Sequence, residues 1–385
     1  MIMERVIRTA VVGTRFMGRA HAAGIDDLNR YFHPGVRVEK AVLCGVDPAH
    51  TEQAAKALGF SEFSTDYQSV LMRDDIDAVH ICTPVSEHFS QAMAALLCKK
   101  HVFCEKPLTA SLQETESLAY AAGESGVVHQ IGTNYRFLPA VILLKKLIDE
   151  DRLGRIYHFR GVYAQDWGED DAALSWRFQK EKAGSGALGD IGTHLVDLAL
   201  YLCGDVERVA ATMRTFQKQR PICDGKGEGI VQSAAGSELG TVDVDDAFCA
   251  CAEFANGAIG TFEASRFATG HANDLSFEID GERGAARFDL SRLNELAFFD
   301  ATLPRQERGW RTIQCTDALH PYGGLRWPVG HQLGWADSFA NEFFAFYAAI
   351  ARGDKSSPDF GDALRTARVI DAIERATYTL GFEEV

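Results

Sequence analysis

The 385-residue sequence predicts an α/β chain in two parts, a parallel sheet wound by helices and then an α+β part on a mostly antiparallel sheet. Three observations predict it. Up to about residue 130, short apolar runs alternate with helical patterns, the signature of βαβ units. The stretch DAFCACAEFANGAIGTFEASRF sets Asn256 and Gly257 between two extended runs, the strongest short-range hairpin signal. Two late segments, SFANEFFAFYAAIARG and GDALRTARVIDAIERATYTLG, carry apolar residues at helical spacing.

In the first part, strands are expected over residues 6–12, 38–45, 78–82, 101–104 and 127–132. After the first comes VVGTRFMGRAHAAG, which nearly matches the G-x-G-x-x-G turn that seats a dinucleotide pyrophosphate. Gly13 and Gly18 stand at its ends, but Arg15 replaces the middle glycine. Phe16, Met17 and Gly18 open the following helix, whose N–H groups would meet a phosphate. The Arg15 guanidinium can give a phosphate oxygen a charged partner in place of close backbone approach. Two other readings stand beside this one: a side chain in solvent, or a contact with the 2′-phosphate of NADP. The second strand runs into Asp47, where a carboxylate can accept both adenosine ribose hydroxyls and repel that extra phosphate. NAD is therefore the expected cofactor, with NADP the alternative. Asp47 lies far from the glycine turn, and residues 26–36 read as an insertion.

The third strand ends in CTPVSEHF, which brings Thr83 and Pro84 to the sheet edge where α/β folds bind ligands and starts the next helix near His88. A plain turn with a capping histidine explains that stretch as well. The fourth strand ends in CEKP, and Pro107 biases Lys106 toward an extended backbone that would fix its ammonium group at the same edge, next to Glu105. Ser111 and Glu114 form a capping box for a helix ending near Gly123. After Pro139 a further helix leads to Gly154, where the second part begins in character. Residues 217–243 and 316–334 read as long glycine-rich loops.

In GSGALGDIGTHLVDLALYLCG, Asp190 and His194 are four apart on an expected helix and share a face. The pair could be a metal site, a satisfied polar contact, or an acid/base with an orienting carboxylate. No further ligand stands at metal-binding spacing, so no metal is expected.

A net charge of −15 argues against nucleic acid and anionic membrane surfaces as partners, since both call for clustered cations. A neutral or weakly charged small molecule suits it better. Nine cysteines sit mostly inside apolar runs and read as reduced core residues. With no leader-like start and no apolar run of about 18–20 residues, the expected location is the cytoplasm.

Taken together, the glycine turn, Thr83-Pro84 with His88, Glu105-Lys106-Pro107 and the G-D-x-G-x-H of residues 189–194 resemble the glucose-fructose oxidoreductase, inositol dehydrogenase and rhizopine-catabolism (Gfo/Idh/MocA) family. The resemblance implies an N-terminal Rossmann dinucleotide-binding domain, residues 1–133, and a C-terminal substrate-binding and oligomerisation domain, residues 134–385, with an open sheet. It further implies a homodimer or homotetramer through that sheet, and a catalytic trio of Lys106, Asp190 and His194. Tyr135 and Arg136, in GTNYRF, take substrate-side places by the same resemblance. Within the family, residues 163–190 are similar to pyranoside-oxidising members, and there Gln165, Asp166, Trp167, Trp176 and Arg177 offer directional hydrogen bonds and flat apolar faces. Packing in the core of a domain interface is the alternative reading of the two tryptophans. Asp190 and His194 also belong to the expected substrate contacts.

The expected activity is NAD-dependent oxidation of a secondary hydroxyl of a sugar, anhydrosugar or cyclic polyol to a ketone. Two alternatives remain: a glycosidase using tightly held NAD in a transient oxidation, and a dinucleotide-binding sensor without turnover.

Overall fold

The computed structural model describes residues 5–169, 172–223, 234–379 and 381–385. Among these, residues 5–134 and 335–364 form one compact unit, and the remainder forms a second. No described helix is long and apolar enough to cross a membrane.

The first unit is built on a six-stranded sheet in the order β3-β2-β1-β4-β5-β6. Its strands are β1 Val6–Val12, β2 Arg37–Cys44, β3 Glu62–Ser64, β4 Ala78–Ile81, β5 His101–Glu105 and β6 His129–Gly132. Every pairing is parallel. The strand order reverses between β1 and β4, so the crevice beyond their carboxyl ends is where a doubly wound fold takes its ligand. The five expected strands are present, with ends moved by one or two residues; the short edge strand β3 was not foreseen. The reading of residues 26–36 as an insertion is corrected. The helix after the glycine turn runs over Phe16–Tyr31, so residues 26–31 are its last turns and its length explains the late position of Asp47. The Ser111 cap is as expected, but the helix continues to Ser125, because Gly126 rather than Gly123 takes the left-handed conformation that ends it.

Residues 335–364 differ from the expected assignment of everything after 133 to a second domain. Their helix, Asp337–Arg352, puts Phe343 and Phe346 against Phe103 of β5, with ring centroids 5.1 and 5.6 Å apart. Phe103, Phe343 and Phe346 are fully buried, and each such ring contributes about 1.5–3 kcal/mol. The sheet face needs this late helix as its cover.

The second unit carries the strands β7 Ile156–Ala164, β8 Val206–Arg214, β9 Gln219–Cys223, β10 Ala234–Thr241, β11 Ala247–Phe254, β12 Ile259–Ser265, β13 Asp274–Gly281, β14 Gly284–Asp289, β15 Glu295–Asp300, β16 Trp310–Gln314 and β17 Glu383–Glu384. Nine of them form one sheet in the order β16-β15-β14-β13-β7-β12-β11-β8-β17. All its pairings are antiparallel except β7 with β12. The hairpin at Asn256-Gly257 joins β11 to β12 as expected. Burial alternates strictly along these two strands. The inward face meets the helices Pro139–Asp149 and Thr193–Cys203, while the outward face leaves Val162, Ile259, Cys249 and Cys251 exposed. Those two cysteines correct the expectation that the thiols are core residues, because the two-residue period of β11 turns both outward. Residues 217–243 are not one loop either: β9 and β10 pair across them, and residues 224–233 lie outside the described residues.

Candidate active site

The glycine turn closes the carboxyl end of β1. Gly13 has φ +118°, and a Cβ on it would stand 2.5 Å from the Cys82 carbonyl oxygen. Only glycine fits there. A Cβ on Gly18 would stand 1.9 Å from the Gly13 oxygen, so the helix can pack down onto its own turn. Arg15 is the N-cap of that helix and makes no side-chain cap bond, and the first turn, which includes Phe16 and Met17, holds no acidic residue. Uncapped N–H groups at the positive end of a long helix, beside an exposed guanidinium, suit a pyrophosphate. The residues present therefore fit a dinucleotide. Phe16 stacks on Trp335, with centroids 5.5 Å apart and planes 11° from parallel.

Asp47 caps the helix Pro48–Leu58 through Oδ1, which accepts from the His50 N–H at 3.0 Å. Its second oxygen makes no hydrogen bond among the described residues, so the cap leaves one acceptor at the end of β2. Thr83 donates its hydroxyl to Gln91 at 2.8 Å, and Pro84 starts the helix Val85–Leu97. His88 is held differently from a ligand-facing residue. Its ring is 1% exposed, with Nδ1 2.9 Å from the Pro107 oxygen and Nε2 2.9 Å from the Thr83 oxygen. Burial pushes its pKa down, so the neutral ring donates to one carbonyl at a time. The side chain staples the Thr83 turn to the Lys106-Pro107 turn, whose peptide is cis.

Glu105 is buried and anchors a chain of polar groups that the sequence reading missed. Its Oε1 lies 2.8 Å from His21 Nε2, and His21 Nδ1 lies 2.9 Å from His80 Nδ1. His80 Nε2 lies 2.9 Å from the Tyr347 hydroxyl, which lies 2.9 Å from Thr9 Oγ1. Thr9, His21, His80 and Tyr347 are fully buried. Burial and the neighbouring His21 hold the His80 pKa well down, so His80 stays neutral. One direction satisfies every group: Thr9 donates to Tyr347, Tyr347 to His80, His80 to His21, and His21 to the Glu105 carboxylate. The one local signal was a histidine inside the apolar run AVHIC.

In the second unit, Asp190 and His194 do not share a regular helix. Residues Leu188–Gly192 form a π turn, and the α-helix begins at Thr193. Such turns concentrate at functional sites. The Asp245 carboxylate accepts from the N–H groups of Gly186 and Leu188 at 2.7 and 2.8 Å and so fixes the approach to this turn. Asp190 Oδ2 lies 3.7 Å from Arg177 Nε, and the Arg177 guanidinium sits 4.4 Å from the Trp176 ring centroid. The His194 ring is 8% exposed and lies against Tyr135 and Tyr163, with centroids 4.7 and 6.1 Å away.

Around that histidine a single network joins several expected substrate residues. The hydroxyls of Tyr135 and Tyr163 are 2.9 Å apart, and Tyr163 donates to Asn273 Oδ1 at 2.9 Å. Gln165 Nε2 donates to the same oxygen at 2.6 Å, and Trp167 Nε1 donates to Gln165 Oε1 at 2.5 Å. Burial, with Tyr135 adding to it, pushes the Tyr163 pKa well up and keeps its donor proton in place. Asp166 is half-buried beside this network. Arg136 stands apart from it. Its Nη2 and Nε grip Asp197 at 2.7 and 2.8 Å, and the pair is 5% and 2% exposed. That guanidinium holds a buried ion pair, a structural role that the expected substrate-side one did not foresee. Asn273 was missed because its loop has no motif of its own, and Tyr163 because it reads as one more residue of a strand.

Among the described residues no group of acidic, histidine or cysteine side chains could hold a metal ion.

The family model described as "Oxidoreductase family, NAD-binding Rossmann fold" matches residues 7–133, and the "GFO/IDH/MocA C-terminal domain" model matches residues 141–287. Levoglucosan dehydrogenase of Pseudarthrobacter phenanthrenivorans is 39% identical over 372 residues, 95% of each chain. The scyllo-inositol 2-dehydrogenase (NAD(+)) of Bacillus subtilis is 32% identical over 286 residues, 74% of each chain. A solved structure of levoglucosan dehydrogenase in complex with NADH superposes with a TM-score of 0.93 at 37% identity, covering 99% of both chains. The expected family resemblance holds along the chain, with levoglucosan dehydrogenase matching over 95% of it. By these matches the chain belongs to the Gfo/Idh/MocA family of oxidoreductases and is an NAD(P)-dependent dehydrogenase of CH–OH groups with an NAD-binding Rossmann fold.

Proposed function

We propose that the enzyme oxidises a secondary hydroxyl of a sugar, anhydrosugar or cyclic polyol to the ketone, with NAD as the working cofactor. The observation that carries the reading is His194 lying against two tyrosines that are tied through amides to Trp167, an aromatic and hydrogen-bonding surround suited to a carbohydrate. The names of the relatives, a levoglucosan and an inositol dehydrogenase, support the same substrate class.

The first unit is the dinucleotide-binding part in this reading. Gly13, Arg15, Phe16, Met17 and Gly18 hold the pyrophosphate, and Asp47 takes the adenosine ribose. Thr83, Pro84, Glu105 and Lys106 line the same sheet edge, and His88 shapes two of its turns. When bound, NAD supplies the hydride acceptor. His194 takes the hydroxyl proton as general base, and Asp190 orients it and stabilises its charged form. Lys106 donates a hydrogen bond to the reacting oxygen as negative charge grows there. Gln165, Asp166, Trp167, Trp176, Arg177 and Tyr135 surround the sugar. A second copy of the chain covers the outward face of the nine-stranded sheet, whose exposed Val162 and Ile259 favour burial.

The test is a panel of sugars, anhydrosugars and inositols incubated with NAD and separately with NADP, following reduced nicotinamide and identifying products by mass. A keto-sugar formed with NAD is the expected result. Cofactor retained through purification with no turnover of added NAD, alongside release of a cleaved glycoside, would replace the dehydrogenase by the glycosidase.

Asp47→Ser tests the cofactor choice without removing the helix cap, because serine also caps. Losing the charged acceptor should weaken NAD binding by about 1.5–3 kcal/mol and narrow the gap to NADP, read by titration with each dinucleotide. A wild-type enzyme that already prefers NADP would end the assignment.

A further inference from the structure

Asn273 lies in the loop between β12 and β13 and is exposed. Its amide orientation follows from chemistry alone. An indole nitrogen can only donate, so the atom of Gln165 that faces Trp167 must be Oε1. The Gln165 nitrogen then faces Asn273, and the Asn273 atom receiving it must be Oδ1. Tyr163 donates to that same oxygen. Both acceptor directions of Oδ1 are thus filled from inside the protein, and the NH₂ group is turned away from the network. Among the described residues that nitrogen donates to no group. The loop is pinned where it needs to be: the N–H of Ala268 donates to the Gln165 carbonyl at 2.9 Å, and His271 pairs with Asp274 at 2.6 Å.

We infer that Asn273 is a specificity-determining residue whose outward NH₂ group donates a hydrogen bond to an oxygen of the sugar. The inference rests on the carbohydrate reading above and adds to it a donor of fixed direction. An amide that had to be turned and held at the moment of binding would lose affinity to that ordering; here Tyr163, Gln165 and Trp167 have already fixed it. The partner is an oxygen able to accept, whether hydroxyl, ring or bridge.

The experiment measures sugar binding to the NADH-loaded enzyme by tryptophan fluorescence and calorimetry, on wild type, Asn273→Ala and Trp167→Phe. The ligands are the sugar chosen by the panel and its monodeoxy analogues. Asn273→Ala should weaken the parent sugar about three- to tenfold, the range of one net hydrogen bond, with NADH affinity unchanged. One deoxy analogue, the one lacking the partner oxygen, should bind wild type and variant equally. If the partner is a ring or bridge oxygen, every monodeoxy analogue keeps the penalty, and the analogue with CH₂ at that oxygen shows the equality instead. Trp167→Phe frees the Gln165 amide to turn and should cost less than Asn273→Ala on the same ligand. Wild type that oxidises a sugar while Asn273→Ala binds every ligand within twofold overturns this inference and leaves the dehydrogenase reading standing. An equal loss on all ligands, the CH₂ analogue included, reassigns Asn273 to holding the loop. Wild type that binds no sugar overturns both.

Discussion

His194→Ala is expected to lower turnover by about 10²–10⁴, the usual contribution of a positioned base, with NAD affinity nearly unchanged. The histidine is in the second unit, and no proposed dinucleotide contact involves it. Lys106→Met keeps the length of the stem and removes the charge, so it should act in the same direction. Joined with His194→Ala it should cost less than the two losses combined, because groups that act on one transition state are not additive. Stopped-flow measurement of NADH formation separates this from a slower product release. A folded His194→Ala enzyme working at near wild-type rate would remove the histidine from the mechanism, and the same result for Lys106→Met would favour a dinucleotide sensor.

The second large effect is on stability. Arg136→Ala leaves the 2% exposed carboxylate of Asp197 without its bidentate partner and should cost about 3–5 kcal/mol in denaturant unfolding. Replacing both, as Arg136→Met with Asp197→Leu, should recover most of that loss, since an apolar pair of similar volume carries no desolvation penalty. A substrate role for Arg136 predicts the opposite pattern: full stability, a raised KM, and no recovery in the double variant.

What was readable in the sequence follows the range of the interaction. The strands of the first sheet announce themselves by local apolar runs, and the turn at Gly13 by a motif whose every residue is a neighbour. Asn256-Gly257 gave its hairpin for the same reason. The relation of Asp190 to His194 was read from regular helical spacing, and the π turn between them shifts it; one extra residue per turn leaves no mark on the apolar pattern. His21 meets His80 across 59 positions, and Gln165 meets Asn273 across 108. Polar pairs so distant have no period to betray them. Arg136 shows the converse, since its motif suggested ligand contact whereas Asp197, a partner 61 positions on, absorbs its charge.

The return of residues 335–364 to the first unit bears on how a ribosome can deliver this chain. A nascent N-terminal portion ending near residue 133 would carry its whole parallel sheet but not the phenylalanines that cover one face, nor the Tyr347 hydroxyl that closes the polar chain on His80. Its rings at Phe103 and His80 would stand in water until some 200 further residues had been made, at about 5–20 residues per second. The dinucleotide unit therefore begins first but closes only after most of the second unit has been made. Its contact order is set by residues 335–364, and the interval before closure is when its apolar sheet is open to wrong partners.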